Sequence, residues 1–161
     1  MTLDFRVYGV AQQMGSKSAH VVKGGRVIVT DQNRSLKSWQ HLVAVAAREA
    51  LLKMPEPERR VLDGPVGVRL AFHFPRPSSL PKKIRAHVKA PDLDKAVRGL
   101  CDALSAIVFV DDRQIVDLIA MKRYAPEGAI PWVDVRVEVS DGVEPLPYKL
   151  PLFAEADHAT N

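Results

Sequence analysis

The stretch from Ala90 to Gln114 constrains this chain most, because it reads as one helix with acidic residues at both ends. Pro91 disfavours helical backbone at Ala90, so the chain arrives there extended. From Asp94 onward, apolar residues recur at intervals of three and four, which is the spacing of one helical face. These residues are Val97, Leu100, Cys101, Leu104 and Ile107. We therefore predict an amphipathic helix that packs on a sheet through that face.

The acids form two pairs that flank this helix. Asp92 and Asp94 lie at its start, and Asp111 and Asp112 follow the apolar segment 107–110. Acids two residues apart point to one side only in extended backbone, so we expect Asp92 and Asp94 before the helix, where either can cap it. Asp111 and Asp112 are adjacent, so only one of them can face a given point. Two acid pairs around one helix suggest a divalent-metal site.

A further acid, Asp102, lies on the same helical face as Asp94 and Arg98, since the three are four residues apart. At 1.5 Å per residue, Asp102 would lie about 12 Å along the axis from Asp94. Two catalytic metal ions are separated by only about 3.5–4 Å. We therefore expect Asp102 to pair with Arg98 rather than to bind a metal directly.

The side chains available as ligands are mainly carboxylates, whose hard oxygen atoms suit Mg²⁺ or Mn²⁺. The sequence has no Cys/His cluster of the kind that binds zinc. His73 has no partner at ligand spacing, so we interpret it as structural. Cys101 falls on the apolar helical face, which favours a buried thiol over a nucleophile. A single cysteine cannot form an internal disulfide, which favours a reducing cytoplasm.

Two loops carry positive charge and no acid. The net charge of +4 permits nucleic-acid binding. Residues 76–90 contain no acid and lead directly into Asp92, and residues 10–25 form a second basic loop. Cations beside a metal site suit a polyanion, because Lys and Arg neutralise phosphates and release counterions. We predict nucleic-acid contacts from Lys17, Lys23, Arg76, Lys82, Lys83, Arg85, Lys89 and Lys95.

The rest of the chain predicts several strands and one more helix. Alternating stretches predict strands at 3–9, 26–30, 65–75, 114–124 and 131–139. Helical spacing predicts a helix from Leu36 to Lys53, and the first two strands are expected to pair as a hairpin. This order favours an α+β fold with a single mixed β-sheet and two main helices. We expect one domain over residues 1–140, a C-terminal tail over 141–161 and no membrane span.

The acidic stretch resembles the RusA family of Holliday junction resolvases. That family carries D-x-D-N-x-x-K, then D-A-L, then an acidic pair followed by a short polar–apolar segment. Here the three parts are residues 92–98, 102–104 and 111–115, and the looser resemblance spans Leu3 to Val139.

Two positions depart from that family pattern. Lys95 replaces an asparagine, and Arg98 replaces a lysine implicated in catalysis. Arginine keeps the charge but stays protonated, so Arg98 can bind phosphate but cannot transfer a proton.

The resemblance implies a Mg²⁺-dependent endodeoxyribonuclease, with Mn²⁺ as the alternative ion, that resolves four-way DNA junctions by paired symmetric nicks in recombination and repair. It implies that Asp92, Asp94 and Asp112 bind the metal and act in catalysis with Arg98. It also implies a homodimer, which suits a two-fold substrate. We expect a cytoplasmic, nucleoid-associated protein, and the family often occurs in phage and prophage.

Two alternatives stay open. One is a metal-dependent nuclease for other branched or single-stranded nucleic acid, which would be distinguished by cleavage of junctions, flaps and plain duplex. The other is a non-catalytic DNA-binding module, because aspartate is common as a helix cap and in turns. In that second case, Mg²⁺ would change neither activity nor stability.

Overall fold

A computed structural model describes residues 1–15, 17–21, 27–31, 35–84 and 86–141, with the two short segments described as backbone only. The elements are β1 (Thr2–Tyr8), β2 (Lys17–Val21), β3 (Val27–Asp31), α1 (Leu36–Leu52), β4 (Val66–Phe74), α2 (Leu93–Leu104), β5 (Ile115–Tyr124) and β6 (Trp132–Val139). Short 3₁₀ turns lie at Glu56–Glu58 and Asp112–Gln114. Apart from Asp141, the predicted tail at 141–161 lies outside the described residues.

Four strands form one mixed sheet in the order β1-β6-β4-β5. β4 is parallel to β5, and β6 is antiparallel to both of its neighbours. The predicted α+β fold, with a mixed sheet and two helices, is confirmed. The predicted pairing of the first two strands is wrong, because β1 pairs with β6. The predicted second strand, β3, instead pairs with β2, which lies within the basic loop. Alternation of apolar and polar residues predicts that a segment is a strand, but it does not identify the strand with which that segment pairs.

One face of the large sheet carries the apolar core. Every residue of β4 except His73 is buried, and the alternate side chains from Val66 to Phe74 pack in this core with Val133, Val135 and Val137 of β6. α1 contributes Trp39 and Val43 to this core, and α2 contributes Leu100 and Leu104. Within the described ranges, no helix is both long and apolar enough to cross a membrane.

α2 lies close to other parts of the chain at Gly99. A Cβ atom there would lie 3.1 Å from Leu36 Cδ1 and 3.3 Å from the Gln12 carbonyl oxygen. Close by, the Met14 N–H donates to the Lys95 carbonyl at 3.1 Å. α2 is therefore held between α1 and the segment that follows β1, which fixes the position of its first turn.

Gly99→Val should lower the free energy of unfolding by about 1–3 kcal/mol, because the added methyl groups would overlap Leu36 and a backbone carbonyl. Gly64→Val is the matched control, since nothing lies within 4 Å of a Cβ atom at Gly64. Urea unfolding followed by tryptophan fluorescence measures both variants. Equal and near-zero changes in the two would contradict the close packing at Gly99.

Candidate active site

The first acid pair lies at the start of α2. Asp92 is the N-cap and has extended backbone, but its side chain makes no capping hydrogen bond. Asp94 lies inside the first helical turn, which corrects the prediction that both acids precede the helix. A carboxylate in the first turn interacts favourably with the helix dipole. The helix ends at Leu104, before Ala106 with its positive φ of 61°.

The 3₁₀ turn after α2 gives the second acid pair two different roles. Asp111 caps this turn, because its Oδ1 accepts the Arg113 N–H at 3.0 Å and its own N–H donates to Gln114 Oε1 at 2.8 Å. Gln114 Nε2 also donates to the Gly64 carbonyl at 2.7 Å, which ties the turn to the chain before β4. The Asp111 carboxylate is therefore used to cap the turn. Asp112 is the acid of the pair that lines a cavity.

That cavity, of about 290 Å³, brings Asp112 together with Asp94 and Arg98. Its remaining walls are Val97, Cys101, Ile115, Val116 and Leu118. The two carboxylates come from opposite ends of the helix–turn unit, as the acid pattern suggested. Asp102 is not among the lining residues.

Asp92 lies outside this lining. Its Oδ2 is 3.3 Å from Lys95 Nζ, and 58% of its side chain is exposed. In the described part of the chain, no three His, Cys, Asp or Glu side chains are grouped closely enough to hold one metal ion. The structure therefore brings two of the three predicted ligands, Asp94 and Asp112, to one cavity with Arg98 and places Asp92 beside it in an ion pair.

Two side chains from outside α2 hold its entrance, by which we mean residues 89–94. On β5, Lys122 Nζ donates to the carbonyls of Lys89 at 2.9 Å and Pro91 at 2.8 Å. From the segment after β1, Gln13 Oε1 accepts the Asp92 N–H at 2.7 Å. The sequence interpretation missed both residues. The alternation of β5 could have indicated Lys122, whereas nothing in the sequence links position 13 to position 92.

Arg76, a predicted DNA contact, is bound to its own loop. Its guanidinium donates to the carbonyls of Ile84 at 2.9 Å and Pro81 at 2.8 Å, and it lies 5.6 Å from the Tyr124 ring centroid. These bonds use the fork of donors that would otherwise face a phosphate. Arg76 therefore shapes the cationic loop that precedes the α2 entrance.

The other predicted nucleic-acid contacts are exposed, engaged in an ion pair or outside the described residues. Lys82, Lys83 and Lys89 are exposed along this loop. Lys95 forms the ion pair with Asp92. Lys23 and Arg85, and the side chain of Lys17, lie outside what the structure describes.

His73 is held on the sheet face that points away from the helices. Its ring stacks on Trp132 with centroids 4.0 Å apart, and its Nε2 lies 3.7 Å from Asp134 Oδ2. Burial lowers the pKa of His73, while the charge of Asp134 raises it by less. These contacts give His73 a structural setting, as its isolation in the sequence suggested.

Cys101 forms part of the cavity wall, but its thiol stays protonated and is therefore unreactive. Burial raises the pKa of its thiol to about 12, and the charges of Asp102 and Asp112 act in the same direction. Because the thiolate is the reactive form, the neutral thiol is a poor nucleophile and a poor metal ligand.

We expect iodoacetamide to alkylate Cys101 at least about 100-fold more slowly in the native protein than in the urea-unfolded chain at about pH 8. The reason is the change in pKa from the ordinary 9.0 to about 12, which removes nearly all of the thiolate. Mass spectrometry of timed samples gives both rates. Equal rates would contradict a buried, neutral thiol.

Comparison with known proteins agrees with the sequence resemblance. The family profile described as "Endodeoxyribonuclease RusA" matches residues 11–138, a range that includes α2, the turn at Asp112 and β5. Among curated proteins, the uncharacterized protein YqaN of Bacillus subtilis (strain 168) is 30% identical over 149 residues, which cover 86% of this chain and 97% of that protein. The chain therefore belongs to the RusA endodeoxyribonuclease family.

Proposed function

We propose that this protein is a divalent-metal-dependent endodeoxyribonuclease that resolves four-way DNA junctions by paired symmetric nicks in recombination and repair. Family membership supports the coarser statement that it hydrolyses phosphodiester bonds in DNA. The observation that carries the proposal is the cavity lined by Asp94, Asp112 and Arg98. Carboxylates attract a cation and a guanidinium attracts a phosphate, so the cavity can bind both partners of a metal-assisted cleavage.

The donor set fits Mg²⁺, with Mn²⁺ as the alternative. Asp94 and Asp112 offer hard oxygen ligands, whereas the neutral thiol of Cys101 in the same wall does not compete for such ions. We propose that Asp92 completes the set, since it is exposed and stands two residues before Asp94. A bound divalent ion would activate a water molecule and reduce the charge on the phosphate.

The chain's own cations would orient the DNA. Arg98 would hold a phosphate oxygen and stabilise developing negative charge, acting through its fixed charge rather than by proton transfer. Backbone N–H groups in the first turn of α2 offer further donors to an anion. The exposed Lys82, Lys83 and Lys89 would contact neighbouring phosphates, because they lie on the loop that leads into the α2 entrance.

We further propose that two copies act together on DNA in the cytoplasm, with residues 1–140 as the nuclease domain. A two-fold dimer would present one cavity to each of two strands of like polarity in a four-way junction. A nuclease for other branched or single-stranded DNA is the main alternative. Cleavage of a synthetic junction, a flap and a plain duplex by the same preparation distinguishes the two.

Asp94→Asn and Asp112→Asn should each reduce junction cleavage by about 100-fold or more, because each removes a carboxylate from the metal site. Asp92→Asn should do the same, while junction binding persists in all three. Asp63→Asn is the matched control, since it makes the same change of charge at an exposed carboxylate that does not line the cavity. Cleavage is measured with and without Mg²⁺, and binding by gel shift in EDTA.

Full cleavage by the three variants, together with no response to Mg²⁺, would contradict the proposal. That result would favour a non-catalytic DNA-binding module whose acids are caps and turn residues.

Changing Lys82 and Lys83 together to alanine should weaken junction binding and reduce the slope of log affinity against log salt by about 2, one for each lost phosphate contact. The control is Lys37→Ala with Lys53→Ala, which removes two exposed cations at the ends of α1. Titrations at several salt concentrations give the slopes. An unchanged slope in the first pair would exclude the loop as a backbone contact.

A further inference from the structure

We propose that Lys122 is a positioning residue of this site. By binding the carbonyls of Lys89 and Pro91, its ammonium would fix the α2 entrance and thereby the location of the Asp92 and Asp94 carboxylates. The consequence for metal binding and cleavage rests on the function proposed above. The consequence for the local structure rests on the contacts of Lys122 alone.

Strand register brings Lys122 to this place. It pairs with Phe72 of β4, whose side chain is fully buried in the core. Directly paired residues share a face of a sheet, so Lys122 projects toward the face covered by the helices. Leu118, on the same face of β5 and about 13 Å earlier along the strand, lines the cavity with Asp94 and Asp112. β5 thus contributes both to the cavity wall and to the support of the α2 entrance.

The carbonyl groups that Lys122 binds belong to residues outside any helix or strand. Lys89 and Pro91 both lie between β4 and α2, so no ladder of backbone hydrogen bonds fixes them. The bonds of 2.9 and 2.8 Å from Lys122 are of ordinary hydrogen-bond length, and a charged donor makes such bonds stronger than neutral ones. The ammonium therefore takes over the role that regular secondary structure would otherwise have.

Gln13 is a second side chain that holds the entrance. Its Oε1 accepts the N–H of Asp92, the residue directly after Pro91. The next backbone bond in the chain is helical, with the Ala96 N–H donating to the Asp92 carbonyl at 3.0 Å. Side chains from β5 and from the segment after β1 thus hold the chain up to the point where the helix begins. Loss of Lys122 should release the side that carries Lys89 and Pro91.

Hydrogen exchange measured by mass spectrometry over residues 86–97 tests the positioning itself. Lys122→Met keeps the length of the side chain and removes its donors, and Lys122→Arg keeps a charged donor. We expect Lys122→Met to speed exchange at Asp92 and Ala96 by about ten-fold or more, since each unmade charged bond loosens the entrance. Lys122→Arg should restore much of the protection.

Arg123→Met is the matched control, because Arg123 is the next residue on β5, is exposed and pairs with His73 on the opposite face. It should leave exchange over residues 86–97 unchanged. Thermal unfolding checks that each variant is folded, and Lys122→Gln replaces Lys122→Met if the latter is not. Unchanged exchange in the variant that removes the ammonium would overturn the proposal.

Mn²⁺ binding, followed by electron paramagnetic resonance, gives a second readout that does not depend on turnover. Lys122→Met should weaken Mn²⁺ binding by about ten-fold and lower cleavage, while metal-free junction binding stays near the wild-type level. Faster exchange with unchanged Mn²⁺ affinity and full cleavage would also overturn the inference. Wild-type protein that neither binds Mn²⁺ nor cuts junctions would instead refute the proposed function, and hydrogen exchange would still decide whether Lys122 fixes the entrance.

Discussion

The burial of α2 against the sheet is the constraint on which the candidate site depends. Leu100 and Leu104 anchor the helix in the core, and the absence of a side chain at Gly99 lets α1 and the segment after β1 approach closely. Once that face is buried, the polar face of the helix has a fixed direction, because successive side chains of a helix are related by a fixed rotation. Arg98 and Asp94 then face the cavity beside β5.

Much of the fold followed from simple periodicity. The alternation of residues 65–75 and 131–139 predicted the two central strands, and the spacing from Val97 to Leu104 predicted the second helix. Strand partners did not follow, since β1 and β6 meet across almost the whole chain. Their pairing reflects the closure of the core rather than any local signal. The β2–β3 hairpin was missed because its loop composition concealed a short strand at residues 17–21.

The candidate site was predictable to a similar extent. Spacing alone suggested that acids from both ends of one helix would meet, and Asp94 and Asp112 do line one cavity. The choice between Asp111 and Asp112 came from the family resemblance, and its physical basis is the capping box that occupies Asp111. The alternation of β5 could have indicated the sheet face of Lys122 but not the carbonyls that it binds. Gln13 could not be assigned from the sequence, because its partner is a backbone group far along the chain, and side-chain patterns do not identify such partners.

The position of β6 has a consequence for the order in which the fold forms during synthesis. Among the strands that the structure describes, β6 comes last in sequence, yet it lies inside the sheet between β1 and β4. A growing polypeptide therefore cannot complete this sheet until β6 has left the ribosome, because non-local strands pair only when both are present. The helix that carries Asp94 would have no closed core to bind before then. The cavity lined by Asp94 and Asp112 would in this way form only after β6 has joined the sheet.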